Sequence, residues 1–255
     1  MFNIKYLGFV ALTACSSYSL AADFSFDRPG LGLGTAITPV GQVAWEQSLP
    51  AVKYSENTAN GQKVKQVQVQ GDMLLRTGLA EGLELRLGWD GPMWQKTKVG
   101  SRSVETEGLG DVSVGLKKAI DLDDDQLSLA VVAEAIIATG NDAFTNQDDI
   151  YRLSSVVAYQ YEPQLQTSLT MQYEIQDGEW RATAIPAISY HIAGAWSGFS
   201  ELYYSKAESL EHEYGLVTGV AYQLNPRTQL DASVGVDLDG KNKSYQGGLG
   251  VAFLF

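Results

Sequence analysis

The sequence predicts an all-β fold: a closed antiparallel transmembrane β-barrel of about twelve strands behind an N-terminal signal peptide. Three observations predict it. Apolar and polar residues alternate with a period of two over runs of about ten to twelve residues, long enough to cross a bilayer at a tilt and about twice the usual strand of a soluble sheet. Aromatic residues gather at both ends of those runs. The chain also closes with Tyr245, Gly247, Leu249, Val251, Phe253 and Phe255 on one face. The expected organisation is a signal peptide over 1–21, a periplasmic or mouth segment over 22–40, and the barrel over 41–255.

The N-terminus reads as an export signal. Met1 to Tyr6 carries Lys5 and no acid, Leu7 to Ala14 is a short apolar stretch, and Ser19-Leu20-Ala21 supplies small residues before a cut after Ala21. Cys15, the only cysteine, would leave with the signal. A second reading stays open, because Leu12-Thr13-Ala14-Cys15 matches a lipobox in which Cys15 is acylated and becomes the new N-terminus. Beyond this segment no apolar run reaches the roughly 18 residues of a membrane helix. The most apolar stretch, Leu127 to Ala138, is interrupted by Glu134, which excludes a helical inner-membrane protein.

Composition narrows the function classes. The 255 residues carry 18 Lys+Arg against 30 Asp+Glu, a net charge of -12, so there is no basic stripe for nucleic acid. One Cys and two His exclude zinc fingers, iron–sulfur clusters and attached haem, and neither a metal nor a cofactor is expected.

The strands begin near Gly41, Val64, Leu83, Gly110, Gln126, Tyr151, Leu165, Trp180, Ala195, Tyr214, Thr228 and Ser244. The clearest alternation runs through Leu165, Thr167, Leu169, Met171, Tyr173 and Ile175, and through Leu230, Ala232, Val234, Val236 and Leu238. Turn chemistry separates the runs at Glu162-Pro163, Asp177-Gly178, Asn225-Pro226 and Asp239-Gly240. A soluble sandwich would alternate too, but the connections here alternate in length. Ala80-Glu81-Gly82, Glu162-Pro163-Gln164 and Asn225-Pro226-Arg227 are short, whereas Asn57 to Lys63, Gly91 to Leu109 and Gly140 to Ile150 read as long external loops. The brief Asp177-Gly178 connection and the longer Asp121 to Asp125 turn are exceptions. Trp45, Tyr159, Tyr161, Tyr190, Trp196, Tyr222, Phe253 and Phe255 fall at the periplasmic end. Tyr54, Trp89, Tyr151, Tyr173, Trp180, Tyr204, Tyr214 and Tyr245 fall at the other, as two interfacial girdles require.

Charge parity assigns the lumen. A charge facing lipid at mid-bilayer costs about 2–4 kcal/mol, so strand charges must share the face opposite the apolar residues. The inward set is Glu46, Asp72, Glu84, Asp111, Glu134, Glu174, Glu201, Asp231 and Asp237, against Arg76, Arg86, Lys117, Arg152 and Arg181, with His191 on the same lining. Many should pair across neighbouring strands, because a small barrel holds little water. The residual sign is negative, which favours a small, weakly cation-preferring conductance or none. Glu134 is the only charge of its strand.

Other motifs carry less. Gly30-Leu31-Gly32-Leu33-Gly34 lacks both the spacing and the following helix of a phosphate cradle and reads as flexible backbone near the barrel entrance. Asp121 to Asp125 imitates the start of a calcium loop, but Gln126 replaces the turn glycine and Val132 the bidentate acid, leaving a solvated turn. Asn141-Asp142 and Asp148-Asp149 sit in an external loop, where solvation or divalent cations shared with lipopolysaccharide are the alternatives. Ser189 and His191 share a face without an orienting third group, so an outer-membrane lipase is the weakest reading.

Phe26-Asp27-Arg28-Pro29-Gly30, Gly34-Thr35 and Pro39-Val40-Gly41 before Val43-Ala44-Trp45-Glu46 resemble the opening of the exported family labelled "putative meta-pathway of phenol degradation". Leu74 to Leu79, Leu83 to Gly88, Gly108 to Lys117, Ala138-Thr139-Gly140, Leu230 to Gly235 and the terminal Phe resemble its later strands. Ala138 departs from the Pro that many relatives carry. The resemblance implies an outer-membrane channel-like protein for passive passage of small molecules, aromatic or hydrophobic compounds among them. The alternative is a structural or surface-interaction barrel with a plugged lumen. Asp27, Arg28, Pro29 and Gly30 form either a disordered leader or a segment folded into the periplasmic mouth, with Arg28 paired to a luminal carboxylate. The last strand resembles the signal read by the barrel assembly machinery, with Phe255 its terminal residue. Expected partners are outer-membrane lipids, that machinery and a small-molecule solute, the chain itself being a monomer. Intact mass of the exported protein should begin at Ala22; a diacylglyceryl adduct on Cys15 would show acylation instead.

Overall fold

The structure, a computed structural model, describes residues 24–59, 61–208, 210–238 and 243–255. The export signal, both readings of Cys15 and the Asp239-Gly240 turn lie outside the described residues. The strand segments are β1 (Val43–Ala59), β2 (Gln62–Gln70), β3 (Met73–Ala80), β4 (Leu83–Trp89), β5 (Pro92–Val99), β6 (Arg102–Leu109), β7 (Val112–Ile120) and β8 (Leu127–Ile137). They continue with β9 (Ile150–Glu162), β10 (Leu165–Gln176), β11 (Glu179–Ala193), β12 (Trp196–Ala207), β13 (Glu213–Asn225), β14 (Thr228–Asp237) and β15 (Lys243–Leu254).

All pairings between strands are antiparallel, and β15 pairs with β1 to close the sheet. β1 meets β3 over Val43–Gln47 and β2 over Ala51–Ala59, so β2 and β3 are two halves of one span. β4 with β5, and β6 with β7, are likewise halves, because the lower pair β4–β7 and the upper pair β5–β6 stack along the same line. Fifteen segments thus make twelve spans. Both the start of β1 and the end of β15 lie at one rim, the periplasmic one in a barrel of even strand number.

A crease runs across four adjacent spans. β1 shifts register between Ser48 and Ala51, where Pro50 has no N–H to give the ladder. The neighbouring spans break at Gly71-Asp72, Asp90-Gly91 and Gly110-Asp111. Backbone bonds bridge the breaks, from Ser48 N–H to Asp72 (3.0 Å), Gly71 N–H to Pro92 (3.1 Å) and Asp90 N–H to Asp111 (2.9 Å). Gly91 is obligatory there, since it has φ of 76° and a side chain would collide with the Gly71 carbonyl. An inserted residue moves the inward face from even to odd numbers: Glu46 and Ser48 give way to Lys53 and Ser55, Glu84 and Arg86 to Gln95 and Thr97.

The two faces differ as a membrane barrel demands. Leu169, Met171, Tyr173 and Ile175 of β10 are exposed outward, as are Val112, Val114 and Leu116 of β7. Inside, Arg76, Glu84 and Lys117 have no exposed surface and Glu46 has 1%. Interfacial rings contact one another at both rims, Trp45 with Phe253 and Trp196 with Tyr222 at the periplasmic end, Tyr54 with Tyr245 at the other.

The expected external loops need correction. Asn57 to Lys63 is mostly the continuation of β1 and the start of β2, and Gly91 to Leu109 is the β5–β6 hairpin. These segments were read as loops because the crease breaks the period of two. Residues 138–149 are the long external connection. Asp111 pins it, accepting from the Gly140 (2.7 Å) and Asn146 (2.7 Å) amides, and Asn141 accepts from the Leu109 N–H.

Leu169→Arg, which places a cation in the lipid-facing mid-strand of β10, should lower stability by about 2–4 kcal/mol in urea titrations of vesicle-inserted protein. The unaltered chain should fractionate with the outer membrane and change gel mobility on boiling.

Candidate functional site

Residues 24–42 precede the first strand and cross the lumen. Phe24 and Phe26 pack edge to face (5.0 Å) and anchor the segment on Ala44, Ala252 and Leu254 at the β1–β15 seam. From there the chain runs to the β3–β4–β7 wall, across to β12 and β10, and back past β8 to β4. It joins the sheet ladder only through an isolated bridge between Val40 and Gly78.

Its central contact is a buried ionic cluster. The Asp27 carboxylate lies 2.6 Å from Arg86, 3.5 Å from Lys117 and 3.6 Å from Arg76. Arg76 also reaches Glu46 (2.9 Å) and Glu84 (3.0 Å), which balances three cations with three carboxylates. Glu46 accepts the Asp27 and Arg28 N–H groups (3.2 and 2.8 Å), and Glu84 accepts both the N–H and the hydroxyl of Thr38 (2.7 and 2.8 Å). Arg76 and Lys117 donate to the Ala36 carbonyl (3.1 and 2.8 Å). Burial alone would raise the Asp27 carboxyl, but the charges of Arg76, Lys117 and Arg86 outweigh it and hold it well below the usual carboxylate range.

Arg28 turns the other way. Its guanidinium donates to Asp231 (3.1 Å) and Ser48 (2.8 Å), with Asp72 at 3.5 Å. It occupies space that any side chain at Gly250 would fill. Pro29 faces the lumen above. Gly30 to Gly34 then departs from the expectation of loose backbone: Glu201 accepts the Leu31 and Gly32 N–H groups (2.6 and 3.1 Å), and Thr170 accepts that of Leu33 (3.0 Å). A Cβ at Gly30 would strike the Glu201 carboxylate, so glycine is what lets the turn close over it. The cradle binds an anion supplied by the wall itself.

A second network uses wall residues alone. Glu134, Arg152, Glu174 and Arg181 are direct partners on β8 to β11. Arg152 bonds Glu134 (2.9 Å) and Glu174 (2.6 Å), and Arg181 approaches Glu174 at 3.8 Å. Asp237 accepts the Tyr203 hydroxyl. His191 is exposed near the periplasmic end of β11, and among the described residues no hydrogen bond joins it to Ser189. The Phe255 N–H donates to the Val43 carbonyl (2.8 Å), which ties the last residue to the first strand.

Lys53, Asp90 and the glutamines of β2, β5 and β15 were missed as lining residues. Pro50 inside an otherwise regular run was the available signal, because it marks the bulge that turns Lys53 inward.

These features define an outer-membrane β-barrel whose lumen is crossed by its own N-terminal segment. The chain belongs to the family described as "Putative MetA-pathway of phenol degradation", whose pattern matches residues 26–255. Its fold is similar to that of the COG4313 outer membrane channel from Pseudomonas putida F1, with TM-score 0.64 and 16% identity over 85% of this chain and 96% of that one. A KdgM porin is similar at TM-score 0.52 and 14% identity, over 80% and 98%. So is the translocator domain of the autotransporter NalP from Neisseria meningitidis, at 0.55 and 9%, over 89% and 90%. No curated protein sequence matches the chain.

Asp27→Ala should free the segment, since removing one partner of a buried pair costs about 3–5 kcal/mol. Limited proteolysis within Leu31 to Leu33 should accelerate about tenfold or more in folded protein. Because docking depresses the Asp27 carboxyl, its contribution is complete above the free value near about 3.9 and fades as pH falls below it. Protease resistance should therefore persist at pH 5 and decline only in stronger acid.

Proposed function

We propose that the protein is an outer-membrane channel for passive passage of small molecules, closed in this conformation by residues 24–42 and opened when they withdraw. One observation carries the reading: the segment crosses the lumen yet meets the sheet ladder at the single Val40–Gly78 bridge, so residues 24–36 can leave without breaking a pairing between strands. Its departure exposes a charged, water-compatible lining. The family description brings aromatic compounds into the range of solutes to test. The lining residues deduced from parity act as the selectivity surface, with carboxylates in excess, and the protein is a monomer without catalytic groups. Outer-membrane lipids surround the apolar face, and the assembly machinery reads the last strand at Phe255.

The buried pairs on Asp27 and Arg28 favour a second reading, a barrel kept permanently shut for structural or surface roles. Planar-bilayer recording separates the two. The unaltered protein should conduct rarely, and a variant lacking residues 24–36 should conduct steadily with weak cation preference. Glu134→Gln should reduce that preference without preventing assembly, because Arg152 keeps Glu174. A deleted barrel that is folded by its gel mobility yet silent would establish the second reading, and clear anion selectivity would overturn the lining.

A further inference from the structure

Above the luminal segment the barrel holds two adjoining cavities that no ionic latch fills. The upper, about 260 Å³, opens toward the external side between the upper halves of β1, β2 and β15. The lower, about 240 Å³, shares Lys53 and Gln68 with it and is floored by Arg28, Pro29 and Leu31. Together they form a vestibule that ends on the luminal segment.

The upper chamber is lined by polar side chains, whereas ligand sites are mostly apolar; the lower one adds Pro29, Leu31, Ala51, Val52 and Val217 to its polar groups. Gln66, Gln68, Gln70 and Gln246 point inward, alongside the hydroxyls of Ser55 and Ser244. Among the described residues no aromatic side chain lines either cavity. Internal bonds use part of this capacity: Gln66 donates to Gln95 (2.7 Å) and Gln68 to Gln70 (3.3 Å). The Gln246 amide, the Gln68 carbonyl oxygen and the Gln70 amide nitrogen have no partner among the described residues. Each amide offers both donors and an acceptor, the complement of a hydroxyl. Over the two chambers together charge is balanced, Lys53 and Arg28 against Asp237 and Asp72.

We infer that this vestibule is a binding site for neutral, hydroxyl-rich solutes of about monosaccharide size, held by the glutamine amides of β2 and β15. The inference rests on the channel reading for its role in passage, though not for binding itself. A balanced site gives ions no net attraction, and the amides match hydroxyl groups that an aromatic hydrocarbon lacks. Without a ring to stack on, the solute is held mainly by hydrogen bonds, beside the small apolar patch of Pro29, Leu31, Val52 and Val217. That binding is weak enough for release, as conduction requires.

The test is saturation-transfer NMR and calorimetry on the purified full-length barrel in detergent, with D-glucose, glucuronate and phenol as probes. Glucose should bind saturably, on the order of millimolar, and phenol should not displace it. Gln68→Leu combined with Gln246→Leu should weaken glucose about tenfold, as loss of two hydrogen bonds to a neutral ligand gives. If the double variant fails to fold, Gln68→Leu alone should give a smaller loss. Glucuronate should bind no tighter than glucose. Absence of saturable glucose binding, displacement by phenol, tighter glucuronate binding, or undiminished binding in the folded glutamine variants would overturn the site. If glucose binds but even the barrel lacking residues 24–36 is silent, the channel reading fails and the site stands. If that barrel conducts and glucose does not bind, the reverse holds.

Discussion

A side-chain charge cannot face the hydrocarbon of the bilayer without a cost of about 2–4 kcal/mol, and most of this architecture follows from that exclusion. At the depth of the hydrocarbon, strand charges are confined to a lumen only twelve spans around. Little water reaches them there, and an unpaired buried charge is costlier than a buried pair. Every charge placed inside therefore creates a demand for a partner. Arg76 shows the demand most plainly, being wholly buried and meeting three carboxylates from three different parts of the chain.

The barrel meets this demand in two ways. On β8 to β11, acids and bases alternate at one level of the wall and neutralise each other across register pairs. This half needs nothing from outside the sheet. On β1, β3, β4, β7, β12 and β14, partners come from residues 27–38, through Asp27, Arg28 and the amides of the glycine-rich turn. The first half is a permanent wall, whereas the second is complete only with the segment in place. Closure and lumen electrostatics are thereby one feature.

The crease adds a separate effect. Inserted residues in β1, β4–β5 and β6–β7 exchange which side chains face inward above the crease, while β2–β3 keeps its parity. The ionic lining below becomes an amide and hydroxyl lining above, with Lys53 its cation on β1. A barrel of unbroken strands would carry one parity from rim to rim. The break gives two chemically distinct zones within one short lumen, one that latches residues 27–38 and one that lies above them toward the external side.

The sequence alone determined the span count and the outward apolar face. Both follow from a period of two fixed by strand geometry and from the solvent on each face, which are local properties. It also placed most of the aromatic girdles, because a ring's depth follows from its position along a strand; Trp89, expected at the external rim, instead lies at mid-span beside the crease, paired with Met73 and Val112. Only the tertiary structure decided where the period breaks, since the crease depends on Gly91 approaching the Gly71 backbone and Gly110 the Asp90 and Met93 side chains. That is why β5 and β6 looked like a loop and Lys53 was passed over. Nor could the sequence decide between a loose leader and a latched segment. Residues 24–42 have no periodicity to read, and their place is set by charges such as Arg86 and Asp231, 59 and 203 residues away along the chain from their partners Asp27 and Arg28. Closing the barrel is what brings those charges to a common interior.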